Sequence, residues 1–273
     1  MNFQEKYGPW ALVAGASDGV GAAFAHALAR RGLNVVLVAR RQSVLEEVAE
    51  GIGGGTGVQT RVLAVDLSAT TAWRDIAEAT QDLDIGFLVY CAGADPTFAP
   101  FLDTPIEVAE LLVQRNCVTP MQLCHHFAVP MVERGRGGIV VFGSGAGLVG
   151  GANMVAYGPS KAFDMVFAEA LWSELSPKGI DVVGLILGKT DTPALRQLEY
   201  ERGQISSLDQ APAESGSVDA VVAEAFEHLG DGPTVFVGDQ MRNAVTMLSQ
   251  VSRNDAVRLM AMASAAAMGN APD

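Results

Sequence analysis

Short apolar runs, many of them β-branched, recur along the chain, and between them lie longer stretches whose apolar positions return every three or four residues. The runs are WALVAG (10–15), NVVLVA (34–39), VQTRVLAVD (58–66), IGFLVYCAG (85–93), GIVVFG (138–143), IDVVGLIL (180–187) and PTVFVG (233–238). Segments 19–31, 42–50, 70–82, 104–134, 155–176 and 217–229 carry the helical pattern. Strands apolar on both faces, separated by helices, predict a parallel sheet covered on each side. The expected fold class is therefore α/β: one doubly wound sheet of about seven strands with helices on both faces. No stretch rich in Pro, Gly or Ser divides the chain, so 1–273 reads as a single domain, and GIGGGTG (51–57) reads as a flexible helix-to-strand connection.

Helix starts are legible as well. Thr104, Pro105 and Glu107 read as N-cap, first-turn proline and capping-box acid of the long helix that carries Asn116. In AYGPSKAF (156–163), Tyr157 and Lys161 stand one helical turn apart and share a face. Pro159 between them is compatible only with the first turn of a helix, where amides have no intrahelical partner. Apolar Phe163, Val166, Phe167, Ala170 and Leu171 give this helix a wider greasy face than one sheet needs. The last 30 or so residues, with RLMAMASAAAMG, read as an apolar helical extension over 239–273 that covers the domain or a partner subunit.

Composition removes several function classes. With 31 acids against 18 bases the net charge is −13, which disfavours non-specific nucleic-acid or anionic-membrane binding. No apolar segment is long enough to span a bilayer, and MNFQEKYGPW lacks the basic-then-apolar run of a signal peptide. Cys91, Cys117 and Cys124 are odd in number and without metal or redox spacing, so buried, reduced thiols and a cytoplasmic location are expected. Neither they nor the four histidines suggest a metal site; His125 and His126 are adjacent and face apart.

Candidate chemistry begins at AGASDGVGAAFAHAL, where Gly15, Gly19 and Gly21 follow the first strand and open the first helix of the βαβ pattern. Backbone amides and the helix dipole at such a start bind a pyrophosphate, and glycines let it come close. The second strand ends in VARR: Ala39 offers no acid for a ribose hydroxyl, while Arg40 or Arg41 can pair with a 2′-phosphate. This favours NADP(H) over NAD(H), the plainer alternative being a solvated basic helix start. Asp18 argues mildly the other way if it lies near that phosphate, and Asp66 ends the third strand where the adenine would be met. Ser144 leaves the fifth strand thirteen residues before Tyr157, at the carboxyl end where ligands of open α/β sheets bind. A phenol with reference pKa near 10 needs help to work near neutrality, and the ammonium of Lys161 favours its phenolate. A serine hydroxyl donating to a carbonyl oxygen, a tyrosine moving the proton and a nicotinamide beside them make a carbonyl-reducing site.

Over about residues 8–238 the chain resembles the short-chain dehydrogenase/reductase family, a single-domain Rossmann fold. Its glycine motif is similar to Gly15, Gly19 and Gly21, its Tyr-x-x-x-Lys pair to Tyr157 and Lys161, and its serine to Ser144. The resemblance implies that Lys161 also holds the nicotinamide ribose, and that the catalytic group is completed by Asn116. Pro120 lacks the amide that would bond the Asn116 carbonyl; a water there could extend a proton relay from Lys161, though a plain proline kink would leave the same backbone. The implied cofactor-binding set is Gly15, Ser17, Asp18, Gly19, Val20, Gly21, Arg40, Arg41, Asp66, Leu67, Ala92, Gly93, Tyr157, Lys161, Gly188, Thr190 and Thr192. Three departures bear on cofactor affinity: Ala14 stands for the family's threonine, Tyr90-Cys91 for its asparagine pair, and Leu187-Gly188 for its Pro-Gly.

Substrate choice is expected from 189–216, which mixes Leu195, Leu198 and Tyr200 with charges of both signs and has the length of a mobile lid. GASDGVG with LVARR looks closest to reductases of hydroxysteroids and 3-oxoacyl thioesters, so an apolar ketone or secondary alcohol is the expected substrate. A homodimer or homotetramer through the helices of Asn116 and Tyr157 is the expected assembly. A non-catalytic dinucleotide sensor or scaffold remains as the rival reading, but it would have no reason to keep Ser144, Tyr157 and Lys161 in register. A methyltransferase would want the acid that Ala39-Arg40 does not provide.

Overall fold

The computed structural model describes residues 1–94 and 98–267, the stretch 263–267 as backbone alone. Its central sheet runs β1 (Trp10–Ala14), β2 (Asn34–Ala39), β3 (Thr60–Ala64), β4 (Ile85–Tyr90), β5 (Gly137–Ser144), β6 (Ile180–Leu187) and, last in sequence, an edge strand at 234–236. Two short strands, β7 (Thr190–Asp191) and β8 (Gly216–Ser217), pair apart from it, which makes Thr234–Phe236 β9. The seven-stranded order is β3-β2-β1-β4-β5-β6-β9 with every pair parallel. Strand order reverses between β1 and β4, and the crevice at their carboxyl ends is the binding place of such sheets.

Period-2 alternation divides the core into two layers. Ala11 and Val13 of β1 point into one, Leu12 and Ala14 into the other. The first layer is covered by α2 (Gly19–Arg30), α3 (Gln42–Thr56) and α9 (Val218–Glu227), the second by α4 (Ala72–Ala79), α6 (Thr119–Arg134) and α7 (Tyr157–Leu175). Phe24 of α2 is fully buried, with ring centroids 5.4 Å from both Phe142 and Phe226, so it ties α2 to β5 and α9. The remaining helices are α1 (Phe3–Tyr7), α5 (Ile106–Val113), α8 (Pro193–Glu201), α10 (Gly238–Ser249) and α11 (Arg253–Ala267).

Local physics departs from the sequence expectation in four places. The helix begun at 42 does not stop before the glycines: it runs through Gly51–Gly55 and ends on left-handed Gly57, held by buried Ile52 and by the Thr56 hydroxyl donating to the Ile52 carbonyl. Thr104 is not an N-cap. Its hydroxyl donates backward to the Pro100 carbonyl after a 3-10 turn at 101–103, and Pro105 is the uncapped boundary of α5. The stretch 104–134 is not one helix either, because a π-helical turn over Gln114–Val118 separates α5 from α6. At the chain start, α1 is closed by a capping box of Asn2 and Glu5, in a segment where the periodicity predicts no element.

Segment 189–216 is tied at both ends by the β7–β8 pair and contains α8, with Arg196 in a two-pronged ion pair to Asp191. The C-terminal extension is helical as expected through α11, and 268–273 lie outside the described residues. Among the described residues no helix is long and apolar enough to cross a membrane, and none group as a metal site.

Candidate active site

After β1 the chain turns sharply, with Gly15 and Ala16 amides both donating to the Val38 carbonyl. Asp18 caps α2, its carboxylate accepting from the Gly19 amide at 2.6 Å. A side chain at Gly21 would lie 2.0 Å from the Gly15 carbonyl oxygen, so only glycine lets the helix start this close to the strand. Val20 is buried beneath the loop. This is a cradle of the shape a pyrophosphate needs, at a helix start with its orphan amides. Across it lies Thr192, the N-cap of α8, whose methyl borders Gly19.

Arg40 and Arg41 are both exposed at the end of β2, and the Arg41 guanidinium reaches the Ser17 hydroxyl at 3.5 Å. Burial pushes the Asp66 carboxyl up, but hydrogen bonds from Ser68 and the charges of Arg40 and Arg115 more than offset this and hold it low. Leu67 is buried, and its carbonyl accepts from Thr119 of α6 at 2.9 Å. On the other side of the crevice, the Thr190 hydroxyl donates to the Gly188 carbonyl at 3.2 Å. Of the predicted cofactor residues, the structure brings Arg41 to Ser17, Gly15 to Ala92 and Gly19 to Thr192.

Tyr157 opens α7, half-exposed, and Pro159 falls in its first turn as expected. One turn on, Lys161 is only 4% exposed. Its ammonium donates to the Phe142 carbonyl at 2.8 Å and to the Asp164 carboxylate at 2.9 Å. Burial works against this ammonium, but the Asp164 carboxylate, with a smaller contribution from Tyr157, outweighs that and holds it above the ordinary lysine value.

Ser144 ends β5 in register with Leu187 of β6, and its oxygen accepts from the Ala146 amide at 3.2 Å. The turn that follows lies flat on α7: a side chain at Gly147 would meet the Ala162 amide and the Lys161 carbonyl carbon at 2.6 Å. That close approach seats the serine loop beside the Tyr157 turn. Asn116 is fully buried in the π-helical turn, its amide donating to the Gly93 carbonyl at 3.2 Å and to the Ser160 hydroxyl at 2.9 Å. A side chain on Gly93 would strike both Asn116 Oδ1 and Lys161 Nζ, so these two groups flank the same backbone turn; a side chain at Gly15 would meet Ala92 in the same way. Pro120 has no amide to return to Asn116 or Arg115, and the Tyr90 hydroxyl donates to the Arg115 carbonyl instead. Tyr90, a departure from the family pattern, therefore braces the π turn.

The thiols depart from expectation: Cys124 is buried, but Cys91 and Cys117 are half-buried, and all are unpaired. Three participants carry no local sequence signal. Ser160 joins Asn116 to the Tyr157 carbonyl, to which its hydroxyl donates at 2.8 Å, across 44 positions. The Phe98 ring packs edge-on to Tyr157 at 6.0 Å, and the Arg202 guanidinium lies over the Phe98 ring, 5.5 Å from its centroid. Asp164 is the third.

The family model for short chain dehydrogenases matches residues 9–203. The 7beta-hydroxysteroid dehydrogenase of Collinsella aerofaciens is 34% identical over 251 residues, 90% of this chain and 92% of that one. A solved structure bearing on 7beta-hydroxysteroid dehydrogenase stereoselectivity superposes with a TM-score of 0.85 at 32% identity, covering 95% of this chain and 99% of the other. A short-chain dehydrogenase from Sphingobium yanoikuyae, in complex with NADPH, gives a TM-score of 0.74 at 29% identity, over 89% of this chain and 93% of that one. With the sheet order, the glycine turn and the helix of Tyr157 and Lys161 already in place, the chain belongs to the short-chain dehydrogenase/reductase family of oxidoreductases.

Proposed function

We propose that the protein transfers a hydride between NADP(H) and an apolar ketone or secondary alcohol of the hydroxysteroid kind, with Tyr157 as acid and base. The observation that carries this reading is the buried ammonium of Lys161, one turn below half-exposed Tyr157, at the carboxyl end of the sheet beside the glycine cradle. When bound, the nicotinamide supplies or accepts the hydride. Gly15, Ser17, Gly19, Val20 and Gly21 would hold the pyrophosphate, Arg40 and Arg41 a 2′-phosphate, Asp66 and Leu67 the adenine. Ala92, Gly93, Lys161, Gly188, Thr190 and Thr192 would hold the nicotinamide end.

In reduction the Ser144 hydroxyl donates to the carbonyl oxygen and Tyr157 passes it a proton; in oxidation Tyr157 takes the proton back. Lys161 orients and charges the site, and buried Asn116 keeps the backbone beneath it in place. Exposed arginines at the end of β2, with Arg41 reaching Ser17, support NADP(H), as does the relative solved with NADPH. An apolar substrate is supported by Phe98 against Tyr157. Unpaired cysteines support a reducing, cytoplasmic setting.

The test is a fluorescence titration with NADPH and NADH of the wild type, Arg40→Ala and Arg41→Ala, followed by a panel of hydroxysteroids and bulky ketones. NADPH should bind at least tenfold more tightly than NADH, and at least one arginine variant should lose most of that preference. Tyr157→Phe should bind NADPH normally and lose about 10²-fold or more in kcat. Preference for NADH, or full activity in Tyr157→Phe, would overturn the proposal.

A further inference from the structure

One buried group in the site has no part in that chemistry. Asp164 follows Lys161 by three residues on α7, so both side chains leave the same helix face. Its Oδ2 accepts from Lys161 Nζ at 2.9 Å, and the two side chains are 2% and 5% exposed. Oδ1 is buried as well and has no hydrogen-bond partner among the described residues. Burying a carboxylate with an unsatisfied oxygen is destabilising, and an apolar side chain of similar volume would fill the place without that penalty. Packing alone gives no reason for an acid here.

The titratable neighbours come from every surrounding element: Tyr157 on α7, Tyr90 on β4, Cys91 in the following loop, Arg115 and Cys117 in the π turn, and Cys124 on α6. Burial pushes the Cys91 thiol up to about 12 and Cys117 to about 11, and drives Cys124 and Tyr90 upward too, so all four stay neutral near pH 7. Asp164 is the one carboxylate among the groups whose charge Lys161 feels. With Phe142 it occupies two of the three ammonium hydrogens, leaving one for a ligand.

We propose that Asp164 is a positioning residue for this active site: it fixes the Lys161 ammonium against the Phe142 carbonyl and partly cancels its charge, so that Tyr157 works in the field of an ion pair rather than of a bare cation. The inference rests on the reductase reading for its purpose, but the charge coupling can be read without substrate or cofactor. In the ligand-free protein, the ultraviolet phenolate difference between wild type and Tyr157→Phe isolates the titration of that phenol. The same difference is then measured in an Asp164→Asn background and in an Asp164→Glu background.

Removing the negative charge exposes the phenol to an uncompensated ammonium. In Asp164→Asn its midpoint should fall by at least one pH unit, a tenfold change, and the high-pH limb of kcat/KM for ketone reduction should move with it. Asp164→Glu, which keeps the charge, should retain the wild-type midpoint. If Asp164→Asn does not fold, Asp164→Ser carries the same comparison. An unmoved midpoint, or a Glu variant shifted as far as the Asn variant, overturns the proposal. A wild type that reduces no ketone would count against the reductase reading alone, because the phenol titration stands apart from it.

Discussion

Pro159 sits in the first turn of α7, where a missing amide hydrogen leaves no helical bond unmade. That single residue makes the phase of Tyr157 and Lys161 readable from the sequence. Asp164 is different, because in the sequence it is one more polar position on an amphipathic helix, and only its enclosure by β4, the π turn and α6 makes it a charged group out of water. Burial pushes its carboxyl up to about 6, against the pull of the Lys161 ammonium. In the unfolded chain an aspartate titrates near 3.9. The folded state therefore holds this proton more tightly, and the stability it contributes is full below about pH 4 and is lost as pH rises through about 6. Relative to Asp164→Asn, the wild type should lose on the order of 3 kcal/mol between those limits. Paired thermal melts across pH 4–7 check this, and a constant difference would contradict it.

At the level of elements, the site depends on how closely loops lie on helices. The turn after Ser144 rests on the backbone of α7 because Gly147 has no side chain. Gly147→Ala must push the two apart, at a cost of about 1–3 kcal/mol, the usual size of an overpacking effect. Its kcat should fall more than its affinity for NADPH, since the serine moves and the cradle at α2 does not. Stopped-flow single turnovers beside cofactor titration would separate the two, and an equal loss in both would place the strain elsewhere. The π turn that carries Asn116 is the other such element. Its proline is visible in the sequence, but the extra residue is not, because the turn is held by the Tyr90 hydroxyl from β4 rather than by its own residues. The run through Gly51–Gly55 shows the reverse: glycine lowers helix propensity, yet one buried isoleucine and a cap outweigh it.

For the whole molecule, the unexplained feature is apolar side chains facing solvent on neighbouring helices. Ile106, Leu111 and Val113 on or beside α5, Met121 and Val129 on α6, and Val166 on α7 are each at least 44% exposed. A surface of this kind is what a second copy would cover, and we propose that it forms the homodimer or homotetramer expected from the sequence. Light scattering at micromolar concentration should report a dimer or tetramer. Leu111→Glu with Val166→Glu should shift it to monomer and lower the melting temperature at constant secondary structure. A monomeric wild type would remove the proposal.

The sequence by itself determined the layered architecture, the alternation of the seven main strands with helices, the glycine cradle and the pairing of Tyr157 with Lys161. These follow from short-range rules: two-residue and 3.6-residue periodicities, the backbone freedom of glycine and the missing amide of proline. Tertiary structure alone decided what sits around them. Asn116 meets Ser160, Phe98 meets Tyr157, and Asp164 loses its water because segments far apart in the chain converge at the carboxyl ends of β4 and β5. Burial and electrostatic coupling are properties of that convergence, and no local pattern encodes them.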